Sequence, residues 1–202
     1  MLTNFIERKR VKADLYWDTC LKKAVEFGGI RVILLEEEEE ESSSLRVGYI
    51  MRRFQICQVN DKGQEGESRV IRHLQLTTWP DHGAIRDFQV IAPILDAMNR
   101  YRCEASRMYH GVETRVIVHC SAGIGRSGTF IAIDILYRQL HQVLTDKSDN
   151  VEEKTRALQH AMNIPRVVYH LRSQRPGMVQ TPEQYEMIYQ HVAAVISGSQ
   201  SW

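Results

Sequence analysis

The sequence lacks the features of a disulfide-rich or metal-binding protein. Only four of its 202 residues are cysteine, and the closest pair, Cys103 and Cys120, is 17 positions apart. This spacing excludes a CxxC metal or redox pair. So few cysteines in so long a chain also argue against a disulfide framework. We therefore expect reduced thiols and a cytoplasmic setting.

The sequence also lacks long apolar runs and an excess of one charge. No run approaches the length that spans a bilayer, and the first residues have no signal-peptide core. The formal net charge is +1, so no overall field attracts nucleic acid or a membrane surface. We expect neither a nucleic-acid partner nor a membrane span, and any selectivity for anions must be local.

The first half of the chain has the pattern of a β-meander. The β-branched run at 30–35 predicts a buried strand, and the runs at 45–59 and 68–78 predict two more, joined by a glycine-containing turn at 60–67. Six glutamates and three serines at 36–44 predict a solvated loop, because adjacent carboxylates repel each other. A site for a cation or a basic partner is the alternative at this loop.

The second half has the pattern of a helical region with one short strand. The run at 114–120 is apolar and β-branched, which predicts a strand. Thr181, followed by Pro182, is typical of a helix start. An irregular loop is predicted at 78–83. Four segments have apolar residues at helical spacing, namely 88–102, 128–144, 151–164 and 181–196.

The segment VHCSAGIGRSGTF at 118–130 combines a cysteine, three glycines and an arginine between a predicted strand and a predicted helix. A glycine-containing loop before a helix directs backbone N–H groups at an anion, and Gly123, Gly125 and Gly128 permit that backbone. Arg126 adds a planar fork of donors suited to phosphate oxygens. These groups would lower the pKa of Cys120 from roughly 8.5 and make it a nucleophile toward a phosphate ester. The alternative, a buried apolar cysteine and a surface arginine, leaves the glycines and the flanking elements unexplained.

Three further polar residues fit this chemistry. Ser127 lies beside the loop and could donate a hydrogen bond to the departing thiolate. Gln180 lies just before a predicted helix and could orient the water that hydrolyses a phosphocysteine, and Gln184, one turn on, could face the same way. The alternative for both glutamines is a solvent-exposed side chain.

Expelling a phenolate also requires an acid. Asp81 in TWPDHG is the best candidate, because it lies in a loop after a strand end and could close over a substrate. Trp79 and Pro80 would set the stiffness of that loop. The alternative for Asp81 is an ordinary turn-forming aspartate.

Taken together, these motifs resemble the cysteine-dependent protein tyrosine phosphatases of the phosphotyrosine-specific type. The segment at 118–130 is similar to the family's signature loop, TTWPDHG to its acid loop, and QRPGMVQTPEQY to its glutamine loop. The resemblance implies an α/β (α+β) fold in which helices flank a central, mixed, highly twisted sheet and the phosphate-binding loop joins a strand to a helix. It implies one catalytic domain over 1–196 and a tail at 197–202. The family's N-terminal tyrosine-bearing loop has no match here, so we expect an N-terminally incomplete domain.

The resemblance also implies roles for individual residues and no metal or organic cofactor. Cys120 is the nucleophile, Asp81 the general acid and then the base, and Gln180 the residue that positions water. Arg126 binds phosphate and Ser127 eases departure of the thiolate. The remaining substrate-binding residues are Ser121, Ala122, Gly123, Ile124, Gly125 and Gln184. The supporting residues are His119, Glu7, Trp79 and Pro80, with Glu7 bracing the signature arginine.

The function expected from this resemblance is hydrolysis of phosphotyrosine in proteins through a phosphocysteine intermediate. The loop interior SAGIG has no lysine, which favours phosphoproteins over highly charged inositol lipids. A shallow pocket would also admit phosphoserine and phosphothreonine. The alternative is a catalytically weak or inactive phosphotyrosine-binding module. Sulfur or arsenate chemistry leaves the acid and glutamine loops unexplained.

Overall fold

The computed structural model describes residues 1–40, 49–79, 83–85, 88–108, 110, 114–146 and 150–198, without the side chains of 39, 40 and 88. The chain divides into two compact units, Met1–Thr78 and Trp79–Trp202. The described part of the first unit is built from strands and that of the second from helices. The boundaries 1–196 and 197–202 stay a prediction.

The first unit contains two antiparallel sheets. β1 and β2 form a two-stranded sheet, and the other four strands follow the order β3-β4-β5-β6, so the predicted meander is confirmed. The strands are β1 Ile6–Glu7, β2 Arg10–Val11, β3 Ala24–Phe27, β4 Ile30–Glu40, β5 Tyr49–Val59 and β6 Glu65–Leu76. The core of the unit is a cluster of Met1, Trp17, Val32, Leu34 and Phe54.

The acidic run does not begin a loop at position 36, as the sequence predicts. Strand β4 continues through Glu40, with Glu36 opposite Arg53 and Glu37 opposite Arg52 on β5. Both carboxylates form ion pairs with these arginines. Paired charges on neighbouring strands stabilise the ladder that mutual repulsion would otherwise break. Residues 41–44 of the predicted loop lie outside the described residues.

The Arg52 guanidinium links three parts of the first unit. It is 5% exposed, contacts Glu37, and donates from Nη1 to Gln75 Oε1 at 2.7 Å. It also lies 4.8 Å from the centre of the Trp17 ring. A charge this buried is tolerated only with partners, which explains why the glutamate opposite it remains in the sheet.

The mixed sheet that the resemblance implies is not present among the described residues. All strand pairs in the described residues are antiparallel. The sequence also predicts a strand at 114–120. These residues belong to no strand, and Ile117 is 90% exposed. A β-branched run has strand propensity, but a strand also needs a ladder partner.

The second unit is a helical assembly around α2. Its helices are α1 Ala92–Met108, α2 Gly125–Thr145, α3 Val151–Ala161, α4 Ile164–Gln174 and α5 Pro182–Ile196, with a 3₁₀ turn at Phe88–Val90. Helix α2 contacts α3, α4 and α5 and buries Phe130, Ile133, Leu136 and Leu140. None of the helices in the described part of the chain is long and apolar enough to cross a bilayer.

The predicted helices at 88–102, 128–144 and 181–196 are confirmed, and the prediction at 151–164 is too long. Helix α3 ends at Ala161, and α4, which the sequence analysis missed, begins at Ile164. Asn163 caps α4 by accepting a hydrogen bond from Arg166 N. An asparagine two residues before Pro165 is a helix-start signal that could have revealed this helix.

Candidate active site

The loop that carries Cys120 leads directly into helix α2. Residues 121–124 bend, and the helix begins at Gly125 without a side-chain cap. Its first N–H groups therefore have no acceptor within the helix. Gly123 has φ +71°, a backbone conformation that side chains with a Cβ rarely adopt. The predicted loop-to-helix arrangement is present, although no strand precedes it.

The Cys120 thiol is buried but polarised. Burial raises its pKa, and four groups oppose that effect so that the pKa lies below its ordinary value. These groups are the Ser127 hydroxyl, the N–H groups of Ser127 and Gly123, and the Arg126 charge. Because these donors surround the sulfur, the loop stabilises a thiolate, which is the form that acts as a nucleophile. The same donors would suit the oxygens of an oxyanion held there.

Arg126 is buried at the start of α2 and faces the acid-loop segment. Its exposed fraction is 3%, and its Nη1 donates to Trp79 O at 3.0 Å. Trp79 is itself 1% exposed, and its Nε1 donates to Gly83 O at 3.0 Å. The tryptophan thus joins the two ends of the loop that it was predicted to stiffen. Pro80 and Asp81 lie outside the described residues.

The Ser127 hydroxyl is buried. The residue is 1% exposed, and its Oγ has no partner with full hydrogen-bond geometry. A buried hydroxyl without such a partner is costly, and costs of this kind concentrate at functional sites. Its effect on the pKa of Cys120 fits the predicted interaction with the sulfur.

The two predicted glutamines lie beside the first residue of α2. A Cβ built on Gly125 would be 3.0 Å from Gln180 Oε1 and 3.1 Å from both amide atoms of Gln184. Gln180 is exposed, but Gln184 is 1% exposed. Gln184 Oε1 accepts hydrogen bonds from Gln180 N at 3.0 Å and Thr181 N at 3.3 Å. Gln184 therefore completes the capping box of α5 and holds the backbone that carries Gln180.

The segment before Gln180 contains residues that the sequence analysis missed. Arg172 donates to Met178 O at 2.9 Å and to Val179 O at 2.8 Å. Val179 has φ +60°, which is strained for a β-branched residue. A Cβ on Gly128 would lie 2.5 Å from Val179 N, so α2 and this segment meet backbone to backbone. Nothing in the sequence pattern reveals these contacts, because they join residues far apart in the chain.

The other predicted residues lie in the loop or in the first unit. His119 is half-buried, its Nδ1 lies 3.2 Å from Cys120 O, and burial lowers its pKa. Ile124 O accepts hydrogen bonds from Gly128 N and Val179 N. Ser121 and Ala122 are exposed. Glu7 belongs to the first unit, where its carboxylate accepts from Thr3 Oγ1 and Asn4 N, and its brace to the signature arginine stays a prediction.

The known proteins to which this chain is similar point to one family. A family profile, Protein-tyrosine phosphatase, matches residues 1–194. A tyrosine-protein phosphatase Lar-like of Caenorhabditis elegans is 38% identical over 200 residues, covering 98% of this chain and 8% of that protein. Tyrosine-protein phosphatase non-receptor type 20 of Rattus norvegicus is 32% identical over 200 residues, covering 98% of this chain and 39% of that protein. The chain thus spans well under half of the length of these relatives.

A solved structure is also similar. It is described as the structural basis of the PTPN18 fingerprint on distinct HER2 tyrosine phosphorylation sites. The TM-score is 0.67 at 26% identity, and the match covers 97% of this chain and 59% of the other. With a profile match over nearly its full length and a buried, polarised Cys120 at the start of α2, this chain belongs to the protein-tyrosine phosphatase family.

Proposed function

We propose that this chain hydrolyses phosphotyrosine in proteins through a phosphocysteine intermediate. The observation that carries the proposal is the Cys120 thiol, whose pKa is lowered by N–H donors, a hydroxyl and a guanidinium at the start of a helix. A buried thiol whose pKa is nevertheless lowered is suited to nucleophilic catalysis.

The first chemical step transfers the phosphoryl group to sulfur. The Cys120 thiolate attacks phosphorus, the bond from phosphorus to the tyrosine oxygen breaks, and Asp81 gives its proton to the leaving oxygen. Arg126 and the loop N–H groups, including that of Gly123, bind the phosphoryl oxygens. Tyrosine side chains thus leave with their oxygen protonated, and the phosphoryl group remains on Cys120.

The second step returns the enzyme to its starting state. Gln180 orients a water molecule, Asp81 takes a proton from it, and the water oxygen attacks phosphorus. The sulfur–phosphorus bond breaks, inorganic phosphate forms, and the Ser127 hydroxyl stabilises the departing thiolate. The exposed position of Gln180 beside Gly125 supports its access to water at the loop.

We also propose that the substrates are phosphotyrosine-containing proteins and that the activity is cytoplasmic. The absence of lysine from SAGIG supports a phosphoprotein substrate. All four cysteines are unpaired, which supports a reducing compartment.

The test compares turnover and binding in wild type and Cys120→Ser. A phosphotyrosine peptide and an aryl phosphate are the substrates, and matched phosphoserine and phosphothreonine peptides measure specificity. We expect phosphate release by wild type, none by Cys120→Ser, and similar peptide affinity in both. Binding without turnover by wild type would instead identify a phosphotyrosine-binding module, and turnover by Cys120→Ser would contradict the mechanism.

A further inference from the structure

Arg175 brings a guanidinium to the outer side of the Cys120 loop. It is the C-cap of α4, and its backbone N–H donates to Leu171 O at 2.9 Å. Its side chain is exposed, and its Nη2 donates to Ala122 O at 3.2 Å. A Cβ on Gly123 would lie 3.5 Å from the same Nη2. The guanidinium therefore lies against the peptide group that joins Ala122 to Gly123.

The opposite side of this peptide group faces the reactive sulfur. The Gly123 N–H acts as a hydrogen-bond donor that lowers the pKa of the Cys120 thiol. The Ala122–Gly123 bond is trans, as are the other peptide bonds of the described residues, and in a planar trans peptide the C=O and the N–H point in opposite directions. One peptide group thus accepts from Arg175 on one side and donates to Cys120 on the other.

This arrangement matters because Gly123 places little steric restriction on the peptide group. Gly123 has φ +71° and no side chain to restrict it. A cation on the carbonyl oxygen fixes the orientation of the peptide group, and it also polarises the N–H into a stronger donor.

We propose that Arg175 is a positioning residue that holds the Ala122–Gly123 peptide with its N–H directed at the Cys120 sulfur and thereby stabilises the thiolate. The inference deepens the proposed function, since it rests on Cys120 as the nucleophile. Arg175 acts through the peptide and does not itself touch the sulfur. Loss of its side chain leaves Arg126 and Ser127 in place, so the thiolate becomes less stable but is not abolished.

The test measures thiol ionisation directly. The rate of Cys120 alkylation by iodoacetamide is followed against pH by mass spectrometry of the Cys120 peptide. Cys20 and Cys103, which are exposed, are changed to serine in every variant so that they consume no reagent. The variants are Arg175→Ala, Arg175→Lys and, as a matched control, Arg156→Ala, whose side chain is 81% exposed on α3.

We expect Arg175→Ala to raise the midpoint of the alkylation profile by roughly half a pH unit to one unit, in line with loss of one charge-assisted contact. Arg175→Lys keeps the cation and should shift the midpoint less, and Arg156→Ala should leave it unchanged. The acidic limb of kcat/KM should move with the same midpoint. If Arg175→Ala fails to fold, Arg175→Gln, which keeps a donor without charge, should shift the midpoint in the same direction.

An unchanged midpoint in the alanine variant, or an equal shift in Arg156→Ala, would overturn the proposal. A change in KM for acidic peptides with no shift of the midpoint would also overturn it, because it would make Arg175 a substrate contact instead. Alkylation requires no turnover, so absence of phosphatase activity would count against the proposed function alone.

Discussion

At the scale of single residues, the site stabilises charge where burial opposes it. Cys120 and Arg126 are 7% and 3% exposed, and an isolated ion at such depth is costly. Their mutual attraction, together with the N–H donors around the sulfur, offsets that cost. The lowered pKa of Cys120 therefore depends on these buried neighbours.

Ser127→Ala should weaken catalysis without weakening the fold. The change removes a buried hydroxyl that lacks a partner with full geometry, so the free energy of unfolding should stay the same or rise slightly. It also removes a group that lowers the pKa of Cys120. A higher pKa leaves less thiolate on the acidic side of the profile, so the acidic limb of kcat/KM should move to higher pH.

The measurement is a pH profile of kcat/KM beside a denaturant titration. Ser173→Ala is the matched control, because its hydroxyl donates to His170 O on the exposed surface of α4. This control should leave the profile in place. A Ser127→Ala variant with an unmoved acidic limb would contradict the assigned role of the hydroxyl.

The residues that the sequence could predict are those whose chemistry depends on neighbours in the chain. Cys120, Gly123, Arg126 and Ser127 lie within eight positions, so their type and spacing indicate an anion site directly. Arg175 could not be predicted in the same way, because its contact with Ala122 depends on how α4 ends near the loop.

At the scale of elements, the start of α2 is held against the backbone that precedes α5. Ile124 O accepts from Val179 N at 3.2 Å, and no space for a side chain exists at Gly128. This close approach places Gln180 beside Gly125. The two loops therefore form one part of the site, although Gly128 and Gln180 are 52 positions apart in the sequence.

Gly128→Ala should damage stability and activity together. Its Cβ would lie 2.5 Å from Val179 N and 3.1 Å from Met178 C, and backbone atoms cannot yield as a flexible side chain does. We expect a loss of about 1–3 kcal/mol in the free energy of unfolding and a large fall in kcat. Thermal unfolding and turnover measure the two effects.

Gly66→Ala provides the control for this substitution. The nearest atom to its added Cβ is Gln58 Cβ at 3.6 Å, an ordinary contact, so stability and kcat should hardly change. A Gly128→Ala variant as stable and active as Gly66→Ala would refute the close approach of the two backbones.

Thr181→Ala should lower both the stability of the protein and the rate of the second chemical step, whereas loss of a helix cap elsewhere should lower stability alone. The Thr181 hydroxyl accepts from Gln184 N at 3.2 Å, and its loss should cost about 0.5–2 kcal/mol. Because Gln184 in turn holds the Gln180 N–H, hydrolysis of the phosphocysteine should also slow. Single-turnover and steady-state kinetics with a phosphopeptide distinguish this step from the first.

Asn150→Ala is the matched cap variant, because Asn150 accepts from Glu153 N at the start of α3. It should lose a similar amount of stability and keep wild-type kinetics. Equal kinetic defects in the two variants would mean that the cap acts only through general destabilisation.

The elements that sequence reasoning misjudged are those decided by partners. Glu36 and Glu37 extend β4 because arginines lie opposite them, and a repulsion argument that considers only the run itself misses this. At 114–120 the prediction was wrong in the other direction, because a strand was expected and none forms. The β-branched residues there favour a strand but have no ladder partner in the described residues. Helices α1, α2 and α5 were predictable because apolar spacing and caps are local properties.

At the scale of the whole molecule, the four thiols differ in exposure. Cys20 and Cys103 are exposed, and Cys57 and Cys120 are buried. Hydrogen-bond donors and the Arg126 charge lower the pKa of Cys120. Exposure and thiolate character therefore point to different cysteines as the most reactive.

Dilute peroxide at neutral pH should oxidise Cys120 faster than the two exposed cysteines. The thiolate is the reacting form, and its first product, a sulfenic acid, is reversible by thiols. Differential alkylation with mass spectrometry gives the rate at each site, and activity should return on reduction. Faster oxidation of Cys20 and Cys103 would show that access outweighs ionisation in this protein.

The left-handed backbone of Val179 has a consequence for anyone who wishes to make this protein more heat-resistant. A valine at φ +60° stores strain of order 1–3 kcal/mol, which Val179→Gly would release. The change would also remove a side chain that is 1% exposed, and loss of that burial costs about 1.5–3 kcal/mol. A glycine one residue before Gln180 would in addition leave the backbone that carries the water-orienting amide less restricted. The strain at this position therefore cannot be removed at a net gain in heat resistance, and we expect slower turnover from the variant.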